Sequence, residues 1–371
     1  MDDKFYIAQV EIHKLRIPLI TPFITSLGRD DNAENIIVVI RTNKGISGFG
    51  ECSPYMPING ESIDTCFLVA QYFAKLLKGK NPLQIEDSII AMDKCIYGNA
   101  SIKSAFDMAL YDIASQHAQI PLYKFIGGEN NKTIFTDYTV SIGDPQKMAA
   151  DAVKIKEDGF PAIKIKLGKH GPTDVLRIKA IREAVGDQIP LRIDANQGWE
   201  LEEAITTLNA LAPYGIQYCE EPIARWNFME LPRVKKESPI KIMADECCGD
   251  EHDAKRLIQL NACDLMNIKL GKSSGIFKGL KMVRLAETAN IPLQIGAFME
   301  SRLAMTAFAH FSLCSPIIEH FDFDTALMFK EDPVSGGIVY EKNGLIHITN
   351  TPGLGATIQQ SYLDKLERVV I

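Results

Sequence analysis

Residues 163–196 read IKIKLGKHGPTDVLRIKAIREAVGDQIPLRIDAN, and their pattern indicates the fold. It begins with a short apolar run, continues through a helix-like segment of about twenty residues, and ends with a second apolar run. This order is typical of a βαβ unit, in which the two strands lie parallel and the helix connects them. Residues 163–196 therefore predict one repeat of a parallel α/β fold.

The same unit recurs at a period of about 25 residues. The strand-like runs are TDYTVS, AIKIKLG, LRIDAN, IQYCEEP, IKIMADE, DLMNIKL, PLQIGA and IIEHFDF. The period is marked by one residue near the end of each run: Ser141, Lys166, Asp194, Glu220, Asp245, Lys269, Gly296 and Asp322. Eight such units favour a (β/α)8-type barrel over a doubly wound sheet, which would also need a G-x-G-x-x-G motif after its first strand. We predict this barrel domain for residues 129–324.

The flanking segments have a different pattern. Residues 5–52 read as an antiparallel meander with a turn at 43–45, and residues 62–127 read as helices, clearest in SIKSAFDMALYDIASQ. We therefore predict an α+β capping domain over residues 1–128. Residues 325–371 return to a strand-turn-strand pattern in GGIVYEKNGLIHI. We expect this C-terminal segment to pack back on the barrel and the capping domain.

Composition narrows the class of partner. Of 371 residues, 40 are Lys or Arg and 47 are Asp or Glu, and this net charge of -7 disfavours nucleic-acid binding. The first residues, MDDKFYIAQV, have charges where a secretory signal needs an apolar core, and the apolar stretches are too short to span a membrane, so we expect an unexported protein. Eight scattered cysteines favour free thiols in a reducing compartment. We predict a cytoplasmic homo-oligomer that acts on a small molecule and binds neither nucleic acid nor a membrane.

Three carboxylates end successive strand-like runs: Asp194, Glu220 and Asp245. Active sites of such barrels lie at the carboxyl ends of the strands, and three carboxylates share a small volume only with a cation present. Oxygen ligands of this kind suit Mg²⁺ or Mn²⁺. The alternative is that each acid separately caps a helix or is solvated in a loop. Lys269, at the end of the following run, favours a shared site.

Two lysines, Lys164 and Lys166, are separated by one residue in a strand-like run, so both lie on the same face of the strand. If that face points into the barrel, two ammonium groups share the site. The alternative is an edge strand with two solvated lysines.

The motifs KIKLG, RIDANQGW, CEEP, MADE and NIKLGKSSGI resemble those of the enolase superfamily, in its muconate-lactonizing-enzyme subgroup. Their order and spacing match over essentially the whole chain. The resemblance implies a modified (β/α)7β barrel that holds one Mg²⁺ per subunit, with Mn²⁺ as the alternative, through Asp194, Glu220 and Asp245. It also implies that Lys166 and Lys269 are acid/base groups on opposite faces of the substrate. Lys164 is expected to neutralise the substrate carboxylate.

The last strand-like run ends in Phe321-Asp322-Phe323-Asp324, whose two carboxylates share one face by strand alternation and suit an ammonium group. This pair resembles the dipeptide epimerases of the subgroup, in which it binds the amino terminus of the substrate. An acidic turn after a strand is the alternative. The resemblance also implies substrate contacts from Thr139, Ala297 and Met299.

The predicted reaction is epimerisation of the C-terminal residue of a dipeptide by two-base 1,1-proton transfer through an enediolate. Gly28 lies where a loop arginine of the glutamate-handling enzymes pairs with an acidic side chain, and Arg29 is one residue out of register. We therefore expect substrates with a neutral or hydrophobic C-terminal residue, with L-Ala-D/L-Glu epimerase as the alternative. Further alternatives are an o-succinylbenzoate synthase or cycloisomerase of the same subgroup and a barrel without catalytic activity.

Overall fold

The computed structural model describes residues 4–371, so the first three residues of the predicted capping domain lie outside the described part. The chain begins with an antiparallel meander of three strands: β1 (Ile7–Ile24), β2 (Arg29–Thr42) and β3 (Ser47–Cys52). Five helices follow: α1 (Met56–Asn59), α2 (Ile63–Leu77), α3 (Ile85–Cys95), α4 (Ala100–His117) and α5 (Leu122–Phe125). The α+β character expected from the sequence is confirmed for this region.

Helix α4 packs directly on strand β3 because two glycines in β3 leave room for its backbone. A Cβ at Gly48 would lie 2.1 Å from the carbonyl oxygen of Ala109, and one at Gly50 would lie 1.9 Å from that of Ala105. The alanines on the facing side of α4 complete this close approach. Most of α4 is therefore buried, and its apolar stripe forms the centre of the capping domain.

The barrel consists of eight parallel strands in chain order. The strands are β5 (Tyr138–Val140), β6 (Ile163–Lys166), β7 (Leu191–Asp194), β8 (Ile216–Glu220), β9 (Lys241–Ala244), β10 (Leu265–Ile268), β11 (Leu293–Ile295) and β12 (Ile318–Phe321), and β4 (Ile134–Phe135) precedes them. The Asp137 backbone N–H donates to the Phe321 carbonyl at 3.3 Å, which brings the first and last strands together. All eight strand-like runs of the sequence thus form the predicted barrel.

Helices follow seven of the eight barrel strands. They are α6 (Pro145–Glu157), α7 (Gly171–Val185), α8 (Leu201–Leu211), α9 (Leu231–Glu237), α10 (Glu251–Leu260), α11 (Leu270–Ser273) with α12 (Ile276–Ala289), and α13 (Arg302–Ser312). After β12 the chain forms only a 3₁₀ turn, Thr325–Met328. The barrel is therefore of the (β/α)7β type.

The C-terminal segment contacts both earlier parts of the chain. It contains β13 (Val334–Gly336), β14 (Val339–Tyr340), β15 (Leu345–His347), β16 (Ala356–Ile358), α14 (Gln360–Leu363) and β17 (Arg368–Val370). Strand β15 pairs with β4 beside the barrel, and β17 adds a fourth strand to the N-terminal sheet by pairing with β1. No helix within residues 4–371 is long and apolar enough to cross a bilayer.

The capping domain and the barrel are joined by a buried carboxylate. Glu51, in β3, accepts hydrogen bonds from the backbone N–H groups of Ser301 and Ala304 and from the Ser301 hydroxyl. These groups belong to the N-terminus of α13, where a carboxylate is favourable because unpaired N–H groups and the helix dipole meet there. The loop between β11 and α13 is thereby fixed against the capping domain.

Candidate active site

Strand register places the predicted functional residues in one layer. Lys166 pairs with Asp194 across β6 and β7, and Asp194 pairs with Glu220 across β7 and β8. Asp245 and Lys269 come directly after β9 and β10. Because the strands are parallel, their carboxyl ends lie at one rim of the barrel. The candidate site is therefore at this rim, facing the capping domain.

The three carboxylates of Asp194, Glu220 and Asp245 form a buried cluster, and one oxygen of each lies within 4.8 Å of the others. Burial raises the pKa of Glu220 to about 7, with Asp194 adding to the rise and Lys164 opposing it. Burial alone would also raise the pKa of Asp245, but Lys269 and Lys272 hold it well below its usual range. A compact, all-oxygen donor set of this kind fits Mg²⁺ or Mn²⁺.

Neighbouring side chains hold these carboxylates in place. The Asn267 side-chain amide donates to Glu220 Oε1 at 2.6 Å, and the Asn196 backbone N–H donates to Asp194 Oδ1 at 2.9 Å. Fixed hydrogen bonds of this kind orient groups that serve as metal ligands.

The lysines predicted to share the site lie among these acids. Lys164 Nζ is 2.8 Å from Glu220 and 2.7 Å from Asp322, and Lys166 Nζ is 2.6 Å from Asp194. Lys164 is only 1% exposed and Lys166 only 6%, so the alternative of two solvated lysines on an edge strand is wrong. Lys269 Nζ lies 2.7 Å from Asp245.

Lys166 and Lys269 approach the site from opposite sides. Lys166 ends the second of eight barrel strands and Lys269 directly follows the sixth, which places them across the barrel from each other. Lys166 Nζ lies 5.7 Å from the centre of the Phe23 ring, and Lys269 Nζ lies 4.9 Å from that of Phe298. Each ammonium group therefore has a carboxylate on one side and an aromatic ring on another.

A cavity of about 460 Å³ lies between the rim of the barrel and the capping domain, since both contribute to its walls. It is lined by most of the residues predicted to act on the substrate: Thr139, Lys166, Lys269, Ala297, Met299, Asp322 and Asp324. Lys164 and the three clustered carboxylates are buried beside it. The structure thus brings all the sequence-predicted site residues to one place.

Asp322 and Asp324 both face the cavity, although strand alternation is not what places them there. Strand β12 ends at Phe321, and Asp324 lies at the start of the following 3₁₀ turn. Asp324 Oδ2 accepts the backbone N–H of Thr139 at 2.7 Å. Burial, Asp322 and Asp137 raise the pKa of Asp324. For Asp322, burial acts in the same direction, but Lys164 and Lys166 bring the pKa below its usual value.

Sequence reasoning missed two residues that hold Asp245. Lys272, one helical turn after Lys269, contacts both the carboxylate and the carbonyl of Asp245. Glu221 accepts the backbone N–H of Asp245 at 2.6 Å and that of Cys247 at 3.2 Å. Glu221 has φ +34°, which turns its side chain away from that of Glu220. The three-residue spacing between Lys269 and Lys272 could have indicated that Lys272 also reaches the site. The contacts of Glu221, by contrast, depend on tertiary structure.

The capping domain supplies a wall of which the sequence analysis identified only the loop at Gly28 and Arg29. Phe23, Thr25, Asp30 and Tyr55 line the cavity, together with Gly28. A Cβ at Gly28 would meet only the Tyr55 hydroxyl, at 3.8 Å. Arg29 is turned to Asp31, with Nη2 2.8 Å from its carboxylate. The fold and site together define a class of protein, a barrel enzyme with charged groups gathered at the carboxyl ends of its strands.

Comparison with known families agrees with this class. Residues 7–127 match the mandelate racemase / muconate lactonizing enzyme N-terminal domain, and residues 147–362 match the enolase C-terminal domain-like family. The chain belongs to the mandelate racemase / muconate lactonizing enzyme family of the enolase superfamily.

Its relatives include dipeptide epimerases. The chain is 55% identical to a D-Ala-D/L-Ala epimerase from Cytophaga hutchinsonii over 98% of this chain and 99% of that protein. A crystal structure of a dipeptide epimerase from the same organism, complexed with Mg and D-Ala-L-Val, matches 99% of this chain and 100% of that chain with a TM-score of 0.98 at 55% identity. The Enterococcus faecalis V583 dipeptide epimerase, complexed with Mg and L-Leu-L-Tyr, matches 95% and 99% with a TM-score of 0.92 at 37% identity.

Proposed function

We propose that this protein is a Mg²⁺-dependent epimerase of dipeptides that inverts the α-carbon of a neutral or hydrophobic C-terminal residue. The observation that carries the proposal is the approach of Lys166 and Lys269 to one cavity from opposite sides of the barrel. The activities of the relatives support the same reaction class. The carboxylate cluster buried beside the cavity would bind the substrate carboxylate through a cation, and Asp322 with Asp324, which line the cavity, would bind its ammonium group.

Inversion requires one base on each face of the reacting carbon. In our proposal Lys166, as the neutral amine, takes the α-proton on one face, and Lys269, as the ammonium ion, returns a proton on the other. For the opposite stereoisomer the two lysines exchange roles. Removing the proton places negative charge on the substrate carboxylate, and Lys164 Nζ, buried between Glu220 and Asp322, supplies positive charge near it.

Asp194, Glu220 and Asp245 would hold the Mg²⁺ ion. Bound there, the ion supplies the positive charge that an enediolate dianion needs. The chain's own residues fix the donor oxygens: Asn267 holds Glu220, the Asn196 backbone holds Asp194, and Glu221 and Lys272 hold Asp245. The buried position of the cluster makes each charge interaction stronger than it would be in water.

Incubation of the Mg²⁺-loaded protein with a library of dipeptides in D₂O tests the proposed function. We expect a mass gain of one unit in dipeptides with alanine first and a neutral or hydrophobic residue second, and no gain after chelation with EDTA. Peptides with L- and D-alanine in the first position are compared. Label confined to Ala-Glu would favour an L-Ala-D/L-Glu epimerase. No label in any dipeptide would favour the lyase or the inactive barrel.

The proposed ammonium site gives a second prediction. Replacing Asp324 by Asn should raise KM for a dipeptide with a free amino terminus by roughly tenfold or more, because a charge-assisted hydrogen bond is lost. An N-acetylated dipeptide lacks the ammonium group, so its turnover by the variant should differ little from its turnover by the wild type. Steady-state kinetics with both peptides measure the two effects. An equal loss with both peptides would show that Asp324 acts only through its bond to Thr139.

We propose that the enzyme works in the cytoplasm as a homo-oligomer, with domains at residues 1–128, 129–324 and 325–371. All eight cysteines are free thiols, which supports a reducing compartment. The o-succinylbenzoate synthase alternative is disfavoured because its substrate has no ammonium group for Asp322 and Asp324.

A further inference from the structure

One wall of the active-site cavity has no role in the proposed mechanism. With the substrate carboxylate at the carboxylate cluster and its amino terminus at Asp322 and Asp324, the side chain of the C-terminal residue has to point elsewhere. The rest of the cavity is lined by Phe298 and Met299 of the barrel and, on the facing side, by a wall of the capping domain that includes Thr25, Asp30 and Tyr55. This wall therefore faces the substrate side chain.

A continuous series of contacts connects the reaction centre with this wall. Lys269 Nζ lies 4.9 Å from the centre of the Phe298 ring, and that ring lies 6.4 Å from the ring of Tyr55. Tyr55 and Asp30 both line the cavity, and the Tyr55 hydroxyl lowers the pKa of the Asp30 carboxyl. Apolar faces thus line the part of the cavity nearest the base, and a carboxylate lies beyond them.

The charges around Asp30 are all unfavourable to a second carboxylate. Burial, Asp31 and Glu34 each raise the pKa of half-buried Asp30, and only the Tyr55 hydroxyl lowers it. Arg29, the one cation of the capping domain among the described residues lining the cavity, is bonded to Asp31 through two of its nitrogens. An acidic substrate side chain would therefore meet Asp30 without a free cation beside it, and like charges at this range repel.

We infer that Asp30, on the cavity wall with Tyr55, is a specificity-determining residue that rejects acidic C-terminal side chains and admits neutral ones, including polar side chains as long as that of glutamine. This inference rests on the proposed function and adds the residue that sets its substrate class. Gln and Glu are the informative pair, because they have nearly the same size and differ in charge.

The test compares Ala-Gln with Ala-Glu on the Mg²⁺-loaded enzyme, by calorimetric binding and by turnover in D₂O. The wild type should prefer Ala-Gln by roughly tenfold or more, given like-charge repulsion inside a cavity. In Asp30→Asn the preference should fall towards equality. Tyr55→Phe removes the hydroxyl that lowers the pKa of Asp30, so it should reduce the preference partly. Asp64→Asn is the matched control, because the Asp64 carboxylate of the capping domain is exposed, does not line the cavity and is paired with Lys14 at 2.8 Å. It should keep the wild-type preference.

Three results would overturn the inference. They are equal binding of the two peptides by the wild type, an unchanged preference in Asp30→Asn, and an equal fall in Asp64→Asn. Failure of Ala-Gln to bind while Ala-Ala binds would also overturn it, because size and not charge would then close the pocket. Absence of turnover with intact binding preferences would count against the proposed function and not against the role of Asp30.

Discussion

Replacing Lys166 or Lys269 by alanine is expected to abolish epimerisation while leaving exchange of the α-proton in a single stereoisomer. Each variant lacks the base on one face of the substrate and keeps the base on the other. General acid-base groups contribute roughly 10²–10⁴-fold to rate, so epimerisation should fall by at least about 10²-fold in each variant. ¹H NMR in D₂O, started separately from the two C-terminal stereoisomers, resolves exchange from inversion.

The structure predicts that the two lysine variants lose proton exchange with opposite stereoisomers. Lys166 and Lys269 lie on strands four positions apart in an eight-stranded barrel, and they contact different carboxylates, Asp194 and Asp245. We therefore expect the isomer that one variant still exchanges to be the isomer that the other has lost. Because lysine and solvent exchange protons, the retained base should still introduce deuterium without inverting the carbon.

Lys169→Ala provides the control, since Lys169 follows β6 by three residues and is exposed. It should keep wild-type epimerisation and exchange. The two-base assignment fails if both active-site variants turn over normally, or if both retain exchange with the same stereoisomer.

Much of the barrel and its rim could be predicted from the sequence because the information is local. Each strand-like run is only a few residues long, and its polar last residues fall at the carboxyl end by the geometry of a parallel sheet. Burial of Lys164 and Lys166 followed from the alternation of one strand once its inward face was known. These features need no knowledge of contacts distant in the chain.

The rest of the site depends on contacts between residues that are far apart in the chain, and the sequence pattern does not predict these contacts. Asp30 and Tyr55 reach the cavity because the capping domain sits on the barrel, and Asn35 holds the Met299 carbonyl at 2.8 Å across 264 positions of sequence. Glu221 could not be distinguished from Glu220 by residue type. The left-handed backbone at Glu221 directs the two adjacent carboxylates to different partners, and a backbone angle of this kind is set by the surrounding fold.

Replacing Asp245 by Asn should weaken binding of Mg²⁺ or Mn²⁺ by roughly 10²-fold or more and abolish turnover at low metal concentration. A neutral amide keeps the size of the carboxylate but removes one of three anionic donors, and hard cations bind anionic oxygens preferentially. It also leaves Lys269 and Lys272 facing an uncharged group, so that two buried ammonium groups lose their shared counter-charge. Manganese titration followed by electron paramagnetic resonance measures the affinity without depending on activity.

Asp250→Asn is the matched control, because Asp250 follows the same strand but caps helix α10, accepting the backbone N–H of His252 at 2.8 Å. Asparagine caps helices as well as aspartate does, so this variant should bind manganese like the wild type. Thermal denaturation in chelator shows whether Asp245→Asn remains folded. A folded Asp245→Asn protein with wild-type manganese affinity would remove Asp245 from the metal site, and the pairing of its carboxylate with Lys269 and Lys272 would then be its main role.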